Sequence, residues 1–152
     1  MGEGKIWREE RRLEHRERDY LGIVSFGILI VIIGSLLLYY PWIPSDIGDF
    51  FDTLSEGELV RPSTRLINAL ALFLALLGIS NFTVAGVRSI SRQPWRRPLS
   101  DMLSGVSFIS SAYFIRLYAQ EEIAWQMVVL LVLTIIGVCL IVYGVIGSLI
   151  ES

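Results

Sequence analysis

The sequence predicts an all-α integral membrane protein. The expected fold is a four-helix transmembrane bundle with a cytoplasmic N-terminal helix before it and a short amphipathic outer helix between helices 1 and 2. Three observations carry that expectation. Four separate segments are apolar over about 20 residues, the length that crosses a hydrocarbon core at 1.5 Å per residue. Hydrophobic residues make up 53 % of the 152, with a mean hydropathy of +0.59, higher than a soluble domain of this size usually carries. Basic residues are also divided unevenly between the two ends of these segments, as the positive-inside rule requires.

Residues 1–20 form a charged stretch that contains KIWREERRLEHRERDY at 5–20, with six basic and six acidic residues from Glu3 to Asp19 inclusive. Ile6, Leu13 and Tyr20 recur every seven residues, and Glu14 and Arg18 form a favourable i,i+4 pair, so a helix continuous with the first span is expected. Its arginines serve mainly as topology anchors, with docking to a partner or neighbouring subunit as the alternative. The balanced charge argues against a nucleic-acid arm, and the acids argue against a polybasic lipid-binding patch.

The four spans of the 21–152 domain cover about 21–40, 66–87, 99–118 and 123–150. The first, LGIVSFGILIVIIGSLLLYY, follows nineteen mostly charged residues and ends in YYPW rather than a small-residue cleavage site, so it is expected to be an uncleaved anchor. The first and fourth lack any charge over 20 or more residues, which a soluble helix rarely tolerates.

Between the first two spans lies SDIGDFFDTL. Ile47, Phe50, Phe51 and Leu54 share one helix face at i, i+3, i+4 and i+7, while Asp46, Asp49 and Asp52 take the other. Ser45 is the expected N-cap. The segment reads as an amphipathic helix on the outer leaflet or capping the bundle. A cation site built from the three aspartates and Glu56 is the competing reading. It lacks a glycine-centred calcium loop, and carboxylates along one helix rarely enclose an ion, so no metal is expected.

Helix contacts in a bilayer depend on small residues and interhelical hydrogen bonds. Gly27 and Gly34 in the first span, and Gly137 and Gly144 in the fourth, are each seven apart and match in depth, so these two helices are expected to pack antiparallel there. The second span carries a stripe of Asn68, Ala71, Ala75, Gly78, Ala85 and Ser89, with Asn81 at its edge. Asn81-Phe82-Thr83 matches a glycosylation sequon but lies inside that span, beyond the reach of a glycosyltransferase.

The third span raises the sharpest question, because PLSDMLSGVSFISSAY is rich in serine. Ser100, Ser104, Ser107 and Ser111 fall within a narrow arc that continues outward to Phe114 and Tyr118, while Arg116 points nearly opposite, with Gly105, Ile109 and Ala112. A hydrated path would gather its charges and serines on one surface. Their divergence favours close packing, with Ser104 and Ser107 at the depth of Asn81 for a hydrogen bond across the hairpin, or with serines bonded to their own i−4 carbonyls. Asp101, in the first turn, can reach Arg97. Arg116 can snorkel to headgroups and pair with Glu121 or Glu122, and is also a candidate contact for an anion or lipid headgroup.

Ten of the thirteen basic residues precede the first span or lie in the 88–98 loop, and three, Arg61, Arg65 and Arg116, belong to the other side with seven acids. Both termini are therefore expected in the cytoplasm, with the 41–65 segment outside the cell membrane. For function, the only histidine, His15, is far from the only cysteine, Cys139, and no carboxylate pair lies in the spans, so neither enzyme activity nor a cofactor is expected. The expected role is a non-catalytic self-assembling or accessory subunit, with the lipid bilayer, further copies or a larger membrane complex as partners and no nucleic acid. The alternative is a homo-oligomeric channel or small transporter with Ser100, Ser104, Ser107 and Ser111 along its path.

Overall fold

A computed structural model describes residues 22–57, 61–90 and 95–151; the charged stretch at 1–20 lies outside the described residues. Five helices occur among them: α1 (Gly22–Tyr39), α2 (Ile43–Ser55), α3 (Thr64–Ile90), α4 (Arg96–Ala119) and α5 (Trp125–Glu151). Three of these, α1, α3 and α5, are long and apolar enough to cross a membrane. At 24 residues, α4 has the length, about 36 Å at 1.5 Å per residue, but its serines and charges leave it less apolar than the others.

The helix ends follow from local chemistry. α1 stops at Tyr39 because Tyr40 precedes Pro41, and the residue before a proline is driven out of the helical region. α2 then starts at Ile43, earlier than a Ser45 cap would place it. Pro44, with its φ already suited to a helix, sits in the first turn, and the Ser45 hydroxyl donates to the Trp42 carbonyl at 2.8 Å instead of capping. α2 ends at Ser55, and just past its C-cap Glu56 lies Gly57, whose φ of +85° is costly for any residue with a Cβ. Ser63 caps α3, its Oγ accepting from the Leu66 N–H at 3.3 Å.

α4 ends differently. The Glu122 N–H donates to the Leu117 carbonyl and the Glu121 N–H to the Tyr118 carbonyl, both at 3.1 Å, which is the paired bonding of a Schellman turn. Its left-handed position, usually glycine, is occupied by Glu121 at φ 64°.

The principal seam joins α3 to α4 and is made from small residues. Ala71, Gly78 and Ala85 of α3 and Gly105, Ala112 and Ala119 of α4 are buried. At its centre two glycines allow the backbones to approach: a Cβ on Gly78 would lie 2.9 Å from the Gly105 carbonyl oxygen, and one on Gly105 would lie 3.0 Å from the Gly78 carbonyl oxygen. α5 lies against α4 along a lighter contact, and none of its described residues is fully buried. α1 is similarly open, with Leu36 its one buried side chain among the described residues.

Candidate functional site

The polar side chains of the bundle fall into three groups. At the end where α3 begins and α4 stops, Arg65 holds Asp46 through Nε at 2.7 Å and Nη2 at 2.6 Å, and the Ser63 hydroxyl donates to the same carboxylate at 2.9 Å. Arg65 also lies over the Trp42 ring, 4.9 Å from its centroid. The Asp46 side chain is 7 % exposed against 62 % for Arg65, so the carboxylate is enclosed while its partner meets the surroundings. Asp46 thus does not share the solvent face of α2 with Asp49 and Asp52, which are exposed. The hydrogen bond from Arg65 keeps its carboxyl below the usual value, against the opposing effect of burial.

At the same end, Arg61 donates to Glu121 Oε1 and to the Tyr118 carbonyl, each at 2.8 Å, and its guanidinium lies 4.6 Å from the Tyr118 ring centroid. Glu121 is therefore paired with Arg61 rather than with Arg116. At the other end, Asp101 accepts from Arg88 of α3 at 2.6 Å, a cross-helix pair in place of the expected contact with Arg97 four residues before it. Both side chains of that pair are about four-fifths buried.

One serine of α4, Ser107, meets α5. Ser107 Oγ donates to Cys139 Sγ at 3.4 Å, and the Cys139 thiol donates to the Leu103 carbonyl at 3.7 Å. Ser111 bonds the Ser107 carbonyl of its own helix at 2.8 Å. Asn81 makes no side-chain hydrogen bond among the described residues, and neither Ser104 nor Ser107 bonds to it. The reason is geometric: α3 packs on the Gly105 and Ala112 face of α4, so the opposite face, with the serines, is left for α5.

The glycines separate into two classes. Gly78 is closed by α4, with Ala71 buried beside it in the seam and Ala75 half-buried. Gly27, Gly34, Gly137 and Gly144 meet nothing within 4 Å of an added Cβ, so the expected α1–α5 contact at these positions is not made within the described chain. Matching depth is shared by any antiparallel pair and does not by itself make two helices neighbours.

Two clefts open beside α3. One, of about 590 Å³, is walled almost wholly by apolar side chains, including Leu36 and Leu37 of α1, Ile47 and Phe51 of α2, and Leu66 and Leu70 of α3. The apolar face of α2 overhangs it. The other, of about 560 Å³, lies between α3 and α4 with Tyr40 at its edge, and joins Thr64, Asn68, Arg116 and Gln120 to apolar residues deeper along the helices. No group of three or more His, Cys, Asp or Glu side chains placed to hold a metal occurs among the described residues.

Sequence reasoning missed Arg65 and Ser63 as partners of Asp46. A signal was present: a cation in the first turn of a helix opposes the helix dipole unless an anion meets it. Comparison with protein-family models, with curated proteins and with solved structures gave no match to this chain.

Proposed function

We propose that the chain is a four-span membrane protein in which α4 crosses with α1, α3 and α5, and that it acts as a non-catalytic self-assembling or accessory subunit of a membrane complex. Both termini and the 88–98 loop face the cytoplasm in this reading, and the 41–65 segment with α2 faces outward. Charge distribution supports that orientation.

The observation that carries the role is the division among the glycines. Where the chain uses glycine for its own packing, at Gly78 and Gly105, an added methyl would meet backbone. At Gly27, Gly34, Gly137 and Gly144 it would meet open space, on two helices whose one buried side chain among the described residues is Leu36. Glycine within a helix is about 0.5–1 kcal/mol less favourable than alanine, a cost that close helix contact offsets. Contact with a second copy or a larger partner supplies such an offset. The non-catalytic part of the proposal rests on the sequence, with its single histidine and single cysteine far apart.

The channel reading draws less support. A path along the serine face of α4 would need free hydroxyls, whereas Ser107 is directed to Cys139 and Ser111 to its own helix.

The test is the native mass of the gently solubilised protein, with identification of whatever co-purifies, for wild type and for Gly34→Leu with Gly137→Leu. A defined oligomer or larger complex that the double variant loses is expected. A wild-type monomer bound to nothing would remove the proposal.

A further inference from the structure

The cleft between α3 and α4 changes character along its length. Asn68 and Arg116 lie toward one end of the bundle, and Ala75 and Ile109, each seven residues further along its helix, lie about 10 Å deeper. The mouth is therefore cationic and hydrogen-bonding, and the interior apolar.

Among the described residues the charge of Arg116 is unpaired. It is exposed and forms no salt bridge among the described residues, while Arg61 and Arg65 at the same end each hold a carboxylate. The nearest acid in sequence, Glu121, is the one that Arg61 takes. No acid is among the described residues that line the cleft.

We propose that this cleft binds one anionic glycerophospholipid, its phosphate at Arg116 beside Asn68 and Thr64, and an acyl chain laid along Ala75 and Ile109. A guanidinium offers a planar fork of N–H donors that matches phosphate oxygens, and an amide and a hydroxyl nearby add neutral donors. The missing acid sets the preference within lipids. A choline or ethanolamine cation would find no carboxylate in the cleft and would face the positive charge of Arg116, so a headgroup with net negative charge is favoured. A cleft of about 560 Å³ is in the size range of small-molecule sites. The inference uses the membrane-spanning reading but is independent of the assembling role.

The full chain in mild detergent, titrated with phosphatidylglycerol or with phosphatidylcholine of the same acyl chains and read by native mass spectrometry, tests it. Wild type should retain one phosphatidylglycerol per chain with about tenfold preference over phosphatidylcholine, the scale of one charge-assisted contact of about 1.4 kcal/mol. Arg116→Gln should bring the two lipids to parity. Ala75→Leu should lower retention by filling the apolar end. Arg97→Gln, which removes the same charge at the other end of α4, should leave the preference unchanged.

Equal preference in wild type and Arg116→Gln overturns the proposal. So does displacement of the lipid by millimolar inorganic phosphate that is itself retained, which would mark a site for a soluble anion. An oligomer without the lipid preference would defeat this inference and leave assembly standing, and a lipid-selective monomer would do the reverse.

Discussion

Arg65 reaches back 19 residues to clasp Asp46 with two donors of its guanidinium, at 2.7 and 2.6 Å, and in doing so fixes α2 to the start of α3. Few other contacts join those two helices, so the orientation of α2 depends on this pair and on the Ser63 hydroxyl that shares the carboxylate.

The latch has a defined pH dependence. The hydrogen bond from Arg65 depresses the folded pKa of Asp46 below 3.8. A depressed carboxyl contributes stability above its unfolded pKa and loses it as the pH falls through the lowered folded value. α2 should therefore stay docked at neutral and mildly acidic pH and release only below the ordinary carboxylate range. Trp42, beneath Arg65, reports the change. Its emission, taken as the difference between wild type and Trp42→Phe, should shift on strong acidification, and Asp46→Asn should show the released signal already at pH 7. An Asp46→Asn protein that matches wild type throughout the titration would contradict this.

Gly78→Ala and Gly105→Ala should each destabilise the protein by about 1–3 kcal/mol, the usual cost of overpacking. The added methyl on Gly78 would fall 2.5 Å from Ile109 Cγ1 and 3.1 Å from the Ile109 amide nitrogen as well as against the Gly105 carbonyl, so the helices must part. Gly86→Ala, on the same α3 but with nothing within 4 Å, should be neutral or stabilise by up to about 1 kcal/mol. Denaturant titration by added SDS measures all three.

Ser107→Cys should form a disulfide with Cys139 under mild oxidation, because the wild-type side-chain atoms are 3.4 Å apart across the α4–α5 seam. Ser111→Cys, at a hydroxyl turned onto its own helix, should not. Electrophoretic mobility before and after reduction distinguishes them. Slow or absent crosslinking at position 107 would mean that α5 does not lie on the serine face.

Glu121 permits two opposing effects to be separated. Its left-handed backbone costs about 1–2 kcal/mol relative to glycine, and its exposed pair with Arg61 returns about 0–1 kcal/mol. Both Glu121→Ala and Glu121→Gly lose the pair, but only glycine relieves the backbone. Thermal unfolding should place the glycine variant above the alanine variant by about 1 kcal/mol. Equal stability would show that the turn does not hold this conformation.

How much could be read from the sequence varied with the range of the interaction. The long apolar helices α1, α3 and α5 were legible because hydropathy over 20 residues is a local property, and α2 because its apolar residues repeat at helical spacing. Asp46 was misplaced by that same reasoning: its angular position beside Asp49 and Asp52 assigns it to water, and only the fold brings Arg65 to it. For α4, depth pointed from Ser104 and Ser107 to Asn81, yet the opposite face carries Gly105, the one residue that lets the backbone approach Gly78. The close approach of backbones decided which face meets α3, and Ser107 took the remaining neighbour, α5. Gly27, Gly34, Gly137 and Gly144 were visible as a pattern, but a repeat does not specify what lies beside it.

The Arg88–Asp101 pair has a consequence for how the chain enters the bilayer. The pair closes the connection between α3 and α4, and its two charges offset each other where both are largely buried. In the four-span reading, α4 is the segment least able to partition into lipid alone, and α3, made just before it, offers both a counter-charge and a glycine-lined surface. Insertion of α4 is then the second half of a hairpin rather than an independent event. If α4 crosses as proposed, removing the Asp101 carboxylate would leave Arg88 without this partner at the step where the two helices pair, so the variant is expected to lower the yield of inserted protein.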